Sequence, residues 1–167
     1  MKTRIISGLI MAPFLILVLL GGPLITVACL IIALMGIREF FNGFRKMEIQ
    51  ASYPVAVVSV VLLYGVHYLN KYLPMESDTV TGLYLGWMFL SVLLCLLFLF
   101  RMEKRRLEDG MATLTGIFYI GFFSYHAVLT EDRYADLCSV SPVWLILITA
   151  FATDIFAYFG GYFLGKH

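Results

Sequence analysis

Charge is scarce in this chain. Of its 167 residues only 14% are Asp, Glu, Lys or Arg, where soluble domains average roughly 25%. So few charges cannot clothe a globule in water, and a soluble domain is excluded. The net charge of +1 carries no message about partners, and no nucleic-acid partner is implied. Cysteine is sparse as well. Cys29, Cys95 and Cys138 lie far apart and form no CxxC pair. Two of them fall in apolar runs, where cysteine behaves as a small hydrophobe, so neither a disulfide framework nor a zinc site is supported. There is no P-loop, nucleophile elbow, HExxH or Rossmann fingerprint. A signal-peptide cleavage site is missing too: residues 1–20 pass directly into a second apolar run, so the start of the chain is expected to be retained.

What the chain has is apolar length, with 61% hydrophobic residues. The pattern predicts an all-α polytopic integral membrane protein with about six transmembrane helices. The expected spans are residues 5–20, 24–41, 53–69, 83–100, 111–129 and 142–164, in a single transmembrane domain covering 1–167. Pro13 is expected to kink the first span, and Gly21-Gly22-Pro23 to turn the chain into the second. The second ends in REFFNGFRK, where Arg38, Arg45 and Lys46 meet a cluster of phenylalanines. The third ends in an aromatic and polar boundary containing His67, Tyr68, Asn70, Lys71 and Tyr72.

Basic residues cluster in cytoplasmic loops, which tests this count. With the N-terminus inside and the spans alternating, ten of the twelve Lys and Arg residues fall inside. They are Lys2, Arg4, Arg38, Arg45, Lys46, Arg101, Lys104, Arg105, Arg106 and Lys166. Only Lys71 and Arg133 fall outside. A missing span would mix the loops, so both termini are expected in the cytoplasm.

The densest charge run is RMEKRRLEDG, residues 101–110. It reads either as a solvated cytoplasmic turn near anionic lipid heads or as an electropositive rim that gathers an anionic substrate. His67 and His126 stand near the outer ends of spans. They read as interfacial hydrogen-bonding groups, since no acid or second histidine lies at ligand spacing on the same helix. Glu39, beside Arg38, reads equally as an ion-pair partner or as a functional group.

The last stretch, PVWLILITAFATDIFAYFGGYFLGKH, concentrates the chemistry. As a helix, residues 142–164 span about 34 Å at ~1.5 Å per residue, enough to cross a hydrocarbon core of ~30 Å. Asp154 lies about 18 Å along, near the bilayer middle. A carboxylate there costs at least ~2.5–3.5 kcal/mol, so it should face a partner, a bound cation or a water-filled cavity. Thr149, Thr153, Ala157, Gly161 and Gly165 recur every fourth position, a small-residue row that lets another helix approach closely. Asp154 stands next to this row, with Tyr158 one turn on. The alternative is that the row only packs and Asp154 is a carboxyl hydrogen-bonded to a neighbouring helix.

The segment ATDIFAYFGGYFLGKH, residues 152–167, resembles the aspartate–alanine–tyrosine–glycine–glycine–lysine segment of phosphatidate cytidylyltransferases, the CDP-diacylglycerol synthases. TLTGIFYIGFFS, residues 113–124, is similar to the family's span leading into it. RIISGLIMAPFLILVLLGGP and the Arg38-Glu39-Phe40 ending of span two match in character and place. The chain departs from the pattern in having Ile155 and Phe156 after the aspartate, where small residues are common, and Tyr162 where an arginine is common. Members of the family continue beyond the position of His167 with a serine–proline–lysine–lysine–threonine loop, further spans and a C-terminal signature. The chain is therefore expected to be the N-terminal portion of such an enzyme, without the C-terminal catalytic part.

The resemblance implies transfer from CTP to phosphatidate, giving CDP-diacylglycerol and pyrophosphate, in phospholipid biosynthesis. It implies a magnesium cofactor, contact with membrane lipids, a homodimer, and a multi-pass location in the cell's inner or plasma membrane with the active face cytoplasmic. By resemblance Asp154 and Lys166 are catalytic, Asp154 is also a metal ligand, and Tyr158, Gly161 and Gly165 line the substrate site. Lys166 reads equally as a helix-end lysine snorkelling to the interface. A non-catalytic membrane scaffold and a transporter subunit with Asp154 on an ion path are the competing expectations.

Overall fold

The computed structural model describes residues 22–73, 75–100, 105–134 and 142–165. Among the described residues the chain is all helical, and its elements are α1 (Pro23–Arg45), α2 (Tyr53–Tyr72), α3 (Ser77–Phe100), α4 (Leu107–Thr115), a π-helical segment (Gly116–Phe122), α5 (Phe123–Tyr134) and α6 (Val143–Leu164). Five stretches are long and apolar enough to cross a membrane: Pro23–Arg45, Tyr53–Tyr72, Ser77–Phe100, Leu107–Tyr134 and Val143–Phe163. The chain is a polytopic membrane protein of all-α fold. Helices are what lipid permits, because every backbone N–H and C=O must find its partner within the segment. The first expected span, residues 5–20, lies outside the described residues.

Proline marks where three of these helices begin. Pro23 opens α1, Pro54 sits in the first turn of α2, and Pro142 is the N-cap of α6. A proline there costs nothing, since its missing N–H would have had no intrahelical partner. Several boundaries differ from the sequence reading, among them the end of the fifth span, which runs to Tyr134 and not to 129. α1 runs through REFFNGFR to Arg45. α3 begins at Ser77, ahead of the expected residue 83. RMEKRRLEDG is partly helical, because α4 starts at Leu107.

α1 stops where Glu48 takes a left-handed conformation, φ 62°. The Glu48 N–H then reaches the Arg45 carbonyl (3.1 Å), and the Ile49 N–H reaches back to Phe44 (3.2 Å). This is the glycine-type helix end made with glutamate, which costs roughly 1–2 kcal/mol.

Contacts divide the chain into two units, residues 26–126 and residues 1–25 with 127–167. The 26–126 unit has an up-and-down order that its cross-contacts establish level by level. At one end the N–H of Gln50, just before α2, bonds Asp109 of α4 at 2.6 Å. At mid-height the Trp87 Nε1 of α3 donates to the Ser59 carbonyl of α2 at 2.7 Å. Beside it the hydroxyls of Ser59 and Ser91 bond each other, and Ser91 also reaches the Trp87 carbonyl at 2.8 Å. At the far end the Tyr125 hydroxyl meets His67 Nδ1 (3.0 Å) and the Tyr84 hydroxyl (2.6 Å). Interhelical polar links of this kind serve where the hydrophobic effect gives helices no reason to associate.

The π-helical segment sits inside this packing. Its i→i+5 winding brings residues five apart nearly into line, and its two glycines are five apart. A Cβ on Gly116 would run into the Phe41 ring, and one on Gly121 into Val60. Both glycines, with Ile117, are buried. Ile37, Leu63 and Trp87 are buried in the packing, while other large apolar side chains face outward, Phe89 at 71% and Phe100 at 85% exposure, as lipid-facing residues do.

Candidate functional site

α6 carries the residues singled out by the sequence. It runs from Val143 to Leu164, capped by Pro142 and Gly165, close to the expected 142–164. Its threonines satisfy themselves: the Thr149 hydroxyl donates to the Leu145 carbonyl, and the Thr153 hydroxyl to the Thr149 carbonyl, both at 2.7 Å. That back-bonding is how hydroxyls are carried at low cost through an apolar medium. Asp154 follows on the next position. Asp154, Tyr158 and Gly161 stand at i, i+4 and i+7, so they share one helix face. All three are exposed. Among the described residues the Asp154 carboxylate makes no hydrogen bond or ion pair.

The small-residue row persists through Gly161, where an added Cβ would meet nothing within 4 Å. The row ends there. Gly165 lies past the helix with φ −67° and ψ 126°, and its N–H bonds the Gly161 carbonyl at 3.1 Å. The expected fifth member of the helical row is therefore a C-cap, because the chain has already turned to extended backbone. A Cβ at Gly165 would collide with the Gly161 carbonyl oxygen. Lys166 lies outside the described residues. Beyond the row, rings follow one another: Tyr158–Phe159 edge-on at 5.6 Å and Phe159–Phe163 stacked at 6.1 Å.

For a metal, α6 offers one carboxylate. Among the described residues no group of three His, Cys, Asp or Glu side chains could hold an ion. A dedicated protein cage is thus not what these residues make. One carboxylate does suit magnesium, which is commonly held through one or two carboxylates together with substrate phosphates and water.

The sequence reading missed a second acid. Asp109 sits in the charge run read as a solvated turn, yet it is 3% exposed. Its Oδ1 accepts the Gln50 N–H at 2.6 Å and its Oδ2 the Arg106 N–H at 3.0 Å. One turn on, the Thr113 hydroxyl donates to the Asp109 carbonyl (2.7 Å) and accepts the Ser52 N–H (2.9 Å). Asp109 and Thr113 together clasp residues 50–52 to α4. The available signal was an acid at the third position of a helix start, where a carboxylate can reach back to the N-cap N–H.

The histidines hold hydrogen bonds, as expected. His67 is buried on Tyr125, and His126 Nδ1 lies 2.9 Å from the Phe122 carbonyl. Arg38 and Glu39 are both exposed, and among the described residues they form no ion pair with each other.

A family model described as the cytidylyltransferase family matches residues 2–167. The chain belongs to the cytidylyltransferase family. The match spans the apolar start, the 26–126 unit and α6 alike, and it makes the chain a member of a group of CTP-utilising nucleotidyltransferases. No curated protein matches the chain, and no solved structure matches it.

Proposed function

We propose that this cytidylyltransferase family member is a phosphatidate cytidylyltransferase, joining CTP and phosphatidate into CDP-diacylglycerol and pyrophosphate. The observation that carries the reading is the family match over residues 2–167. The lone carboxylate of Asp154 midway along an apolar helix supports it, because an acid at that depth is functional by default. In this reaction a phosphate oxygen of phosphatidate attacks the α-phosphorus of CTP, and pyrophosphate leaves. Both reactants are anions, so catalysis rests on positioning and charge stabilisation rather than on a covalent intermediate.

In this reading Asp154 would hold magnesium through its one carboxylate, as magnesium sites that also use substrate phosphates do. Magnesium, when bound, offsets the repulsion between the two anions. Asp154 also holds any neighbouring cation in register along the helix. Tyr158, one turn away, offers a phenol to a phosphate or ribose oxygen. Gly161 leaves the backbone open to a substrate or to a partner helix, and Lys166, which follows Gly165 in sequence, is the proposed contact for a phosphate. A lipid substrate requires the site to open to the bilayer, and CTP requires it to open to the cytoplasm. The proposed setting is a multi-pass protein of the cell's inner or plasma membrane, with the small-residue row of α6 as the seam of a homodimer.

The test is conversion of radiolabelled CTP and phosphatidate into CDP-diacylglycerol, with magnesium, by membranes from a host lacking its own enzyme. Product from the wild type and a loss of roughly 10²-fold or more in Asp154→Asn are expected. An inserted, folded chain that makes no product overturns the reading for this chain. Near-normal turnover in Asp154→Asn removes Asp154 from the chemistry.

A further inference from the structure

A cleft of about 480 Å³ opens at the end of the 26–126 unit where α1 and α3 finish and α2 and α4 approach. Arg45, Arg105, Phe41, Tyr53 and Phe98 line it, together with the 49–52 segment. Its volume lies within the ~300–1,000 Å³ usual for small-molecule sites. No acidic side chain is among the described residues that line it.

Two nearby carboxylates, those of Glu108 and Asp109, are engaged elsewhere. Arg106 pairs with Glu108 at 3.2 Å. Both oxygens of Asp109 are taken by the N–H groups of Gln50 and Arg106. Arg45 and Arg105, by contrast, form no ion pair among the described residues. Arg105 is held 4.0 Å above the centre of the Phe98 ring. A guanidinium placed on an aromatic face keeps its charge and its N–H donors while losing little freedom on binding. The clasp from Asp109 and Thr113 fixes the backbone of residues 50–52 beside it, so part of the wall is set before any ligand arrives. Two uncompensated guanidiniums in one preformed cleft call for an anion, and arginine is suited to phosphate oxygens.

The level of the cleft narrows the choice. It lies at the ends of α1 and α3, each long and apolar enough to span a bilayer, and therefore at head-group depth. We propose that this cleft binds a phosphate group, carried either by an acidic phospholipid head or by a soluble phosphate compound. The proposal uses no residue of α6 and does not depend on the transfer reaction.

The experiment uses the purified chain in two settings. One is a nanodisc of phosphatidylcholine with or without phosphatidylglycerol, with bound lipid read by native mass spectrometry. The other is neutral detergent with inorganic pyrophosphate, read by calorimetry. Affinity is expected to fall about fivefold in Arg45→Gln and about 25-fold in Arg45→Gln/Arg105→Gln, on ~1 kcal/mol per basic residue. Lys71→Gln, at the other end of α2, should leave it unchanged. Dependence on the arginines in the phosphatidylglycerol arm assigns the lipid source, and in the pyrophosphate arm the soluble source. Binding of neither probe, or equal weakening by Lys71→Gln, overturns the proposal. Among the described residues Arg45 has no side-chain bond to lose, so its single variant keeps the test valid if the double variant is unstable.

Discussion

Asp109 and Asp154 stand in opposite circumstances. Asp109, in the 26–126 unit, is almost fully buried and accepts two backbone N–H groups from separate segments. Asp154, on α6, is exposed and has no partner among the described residues. Within its unit side-chain polar groups link separate elements: Thr113 bridges two segments, Ser59 and Ser91 join α2 to α3, and Tyr125 ties α5 to both. Along α6 the threonines bond only their own helix, and Gly161 faces open space. A carboxylate whose lone pairs are filled by fixed N–H groups is structural, since binding anything else would break those bonds. A carboxylate left open at bilayer depth keeps its capacity for a cation or a substrate. Of the two, Asp154 is the one whose carboxylate has no partner among the described residues.

The contrast can be broken first at the acids themselves. Asp109→Ala should cost about 1.5–3 kcal/mol of unfolding free energy in detergent, because it removes a buried charged acceptor from two backbone N–H groups. Asp154→Asn should change the same quantity by no more than ~0.5 kcal/mol. Equal destabilisation would mean that Asp154 is structural after all. The glycines sharpen the contrast next. Gly121→Ala forces a methyl against Val60 and should cost about 1–3 kcal/mol, whereas Gly161→Ala, with nothing to strike, should be silent within ~0.5 kcal/mol. A Gly161→Ala variant that loses self-association at unchanged stability would reveal the seam in use. Glu48→Gly removes the left-handed strain and should stabilise by about 1 kcal/mol, less the extra freedom glycine gives the unfolded chain. The smallest expected effect is Ser91→Ala, about 0.6 kcal/mol, the average for an interhelical hydrogen bond in lipid.

Most helices were legible from the sequence because lipid imposes a single requirement, an apolar run long enough to cross with its backbone bonded internally. Residues 53–69 and 142–164 were expected and Tyr53–Tyr72 and Val143–Leu164 are found. The misses lie where that requirement lapses. The span expected to end at residue 41 runs on to Arg45, where Phe40 packs on Phe44 at 4.9 Å. Residues 101–110 read as solvated because a charge run has no period. Asp109 is buried there only because the 50–52 segment, far away in sequence, brings Gln50 to it. The π-helical winding at Gly116–Phe122 was likewise invisible. It depends on Phe41 and Val60 claiming the space beside two glycines, which no local propensity encodes.

The sequence by itself determined that the chain lives in a membrane, that it is helical, where most helices run, and that one of them carries an acid among small residues. Each follows from composition and short-range pattern, because the bilayer acts on every segment separately. Tertiary structure alone decided which acid is engaged by backbone N–H groups and which is open, that Arg106 pairs with Glu108, and which two arginines face a cleft. Those are outcomes of long-range pairing. A carboxylate or guanidinium carries the same charge wherever it stands in a sequence, and only the groups brought against it in space determine whether it holds the fold together or stays available to a ligand.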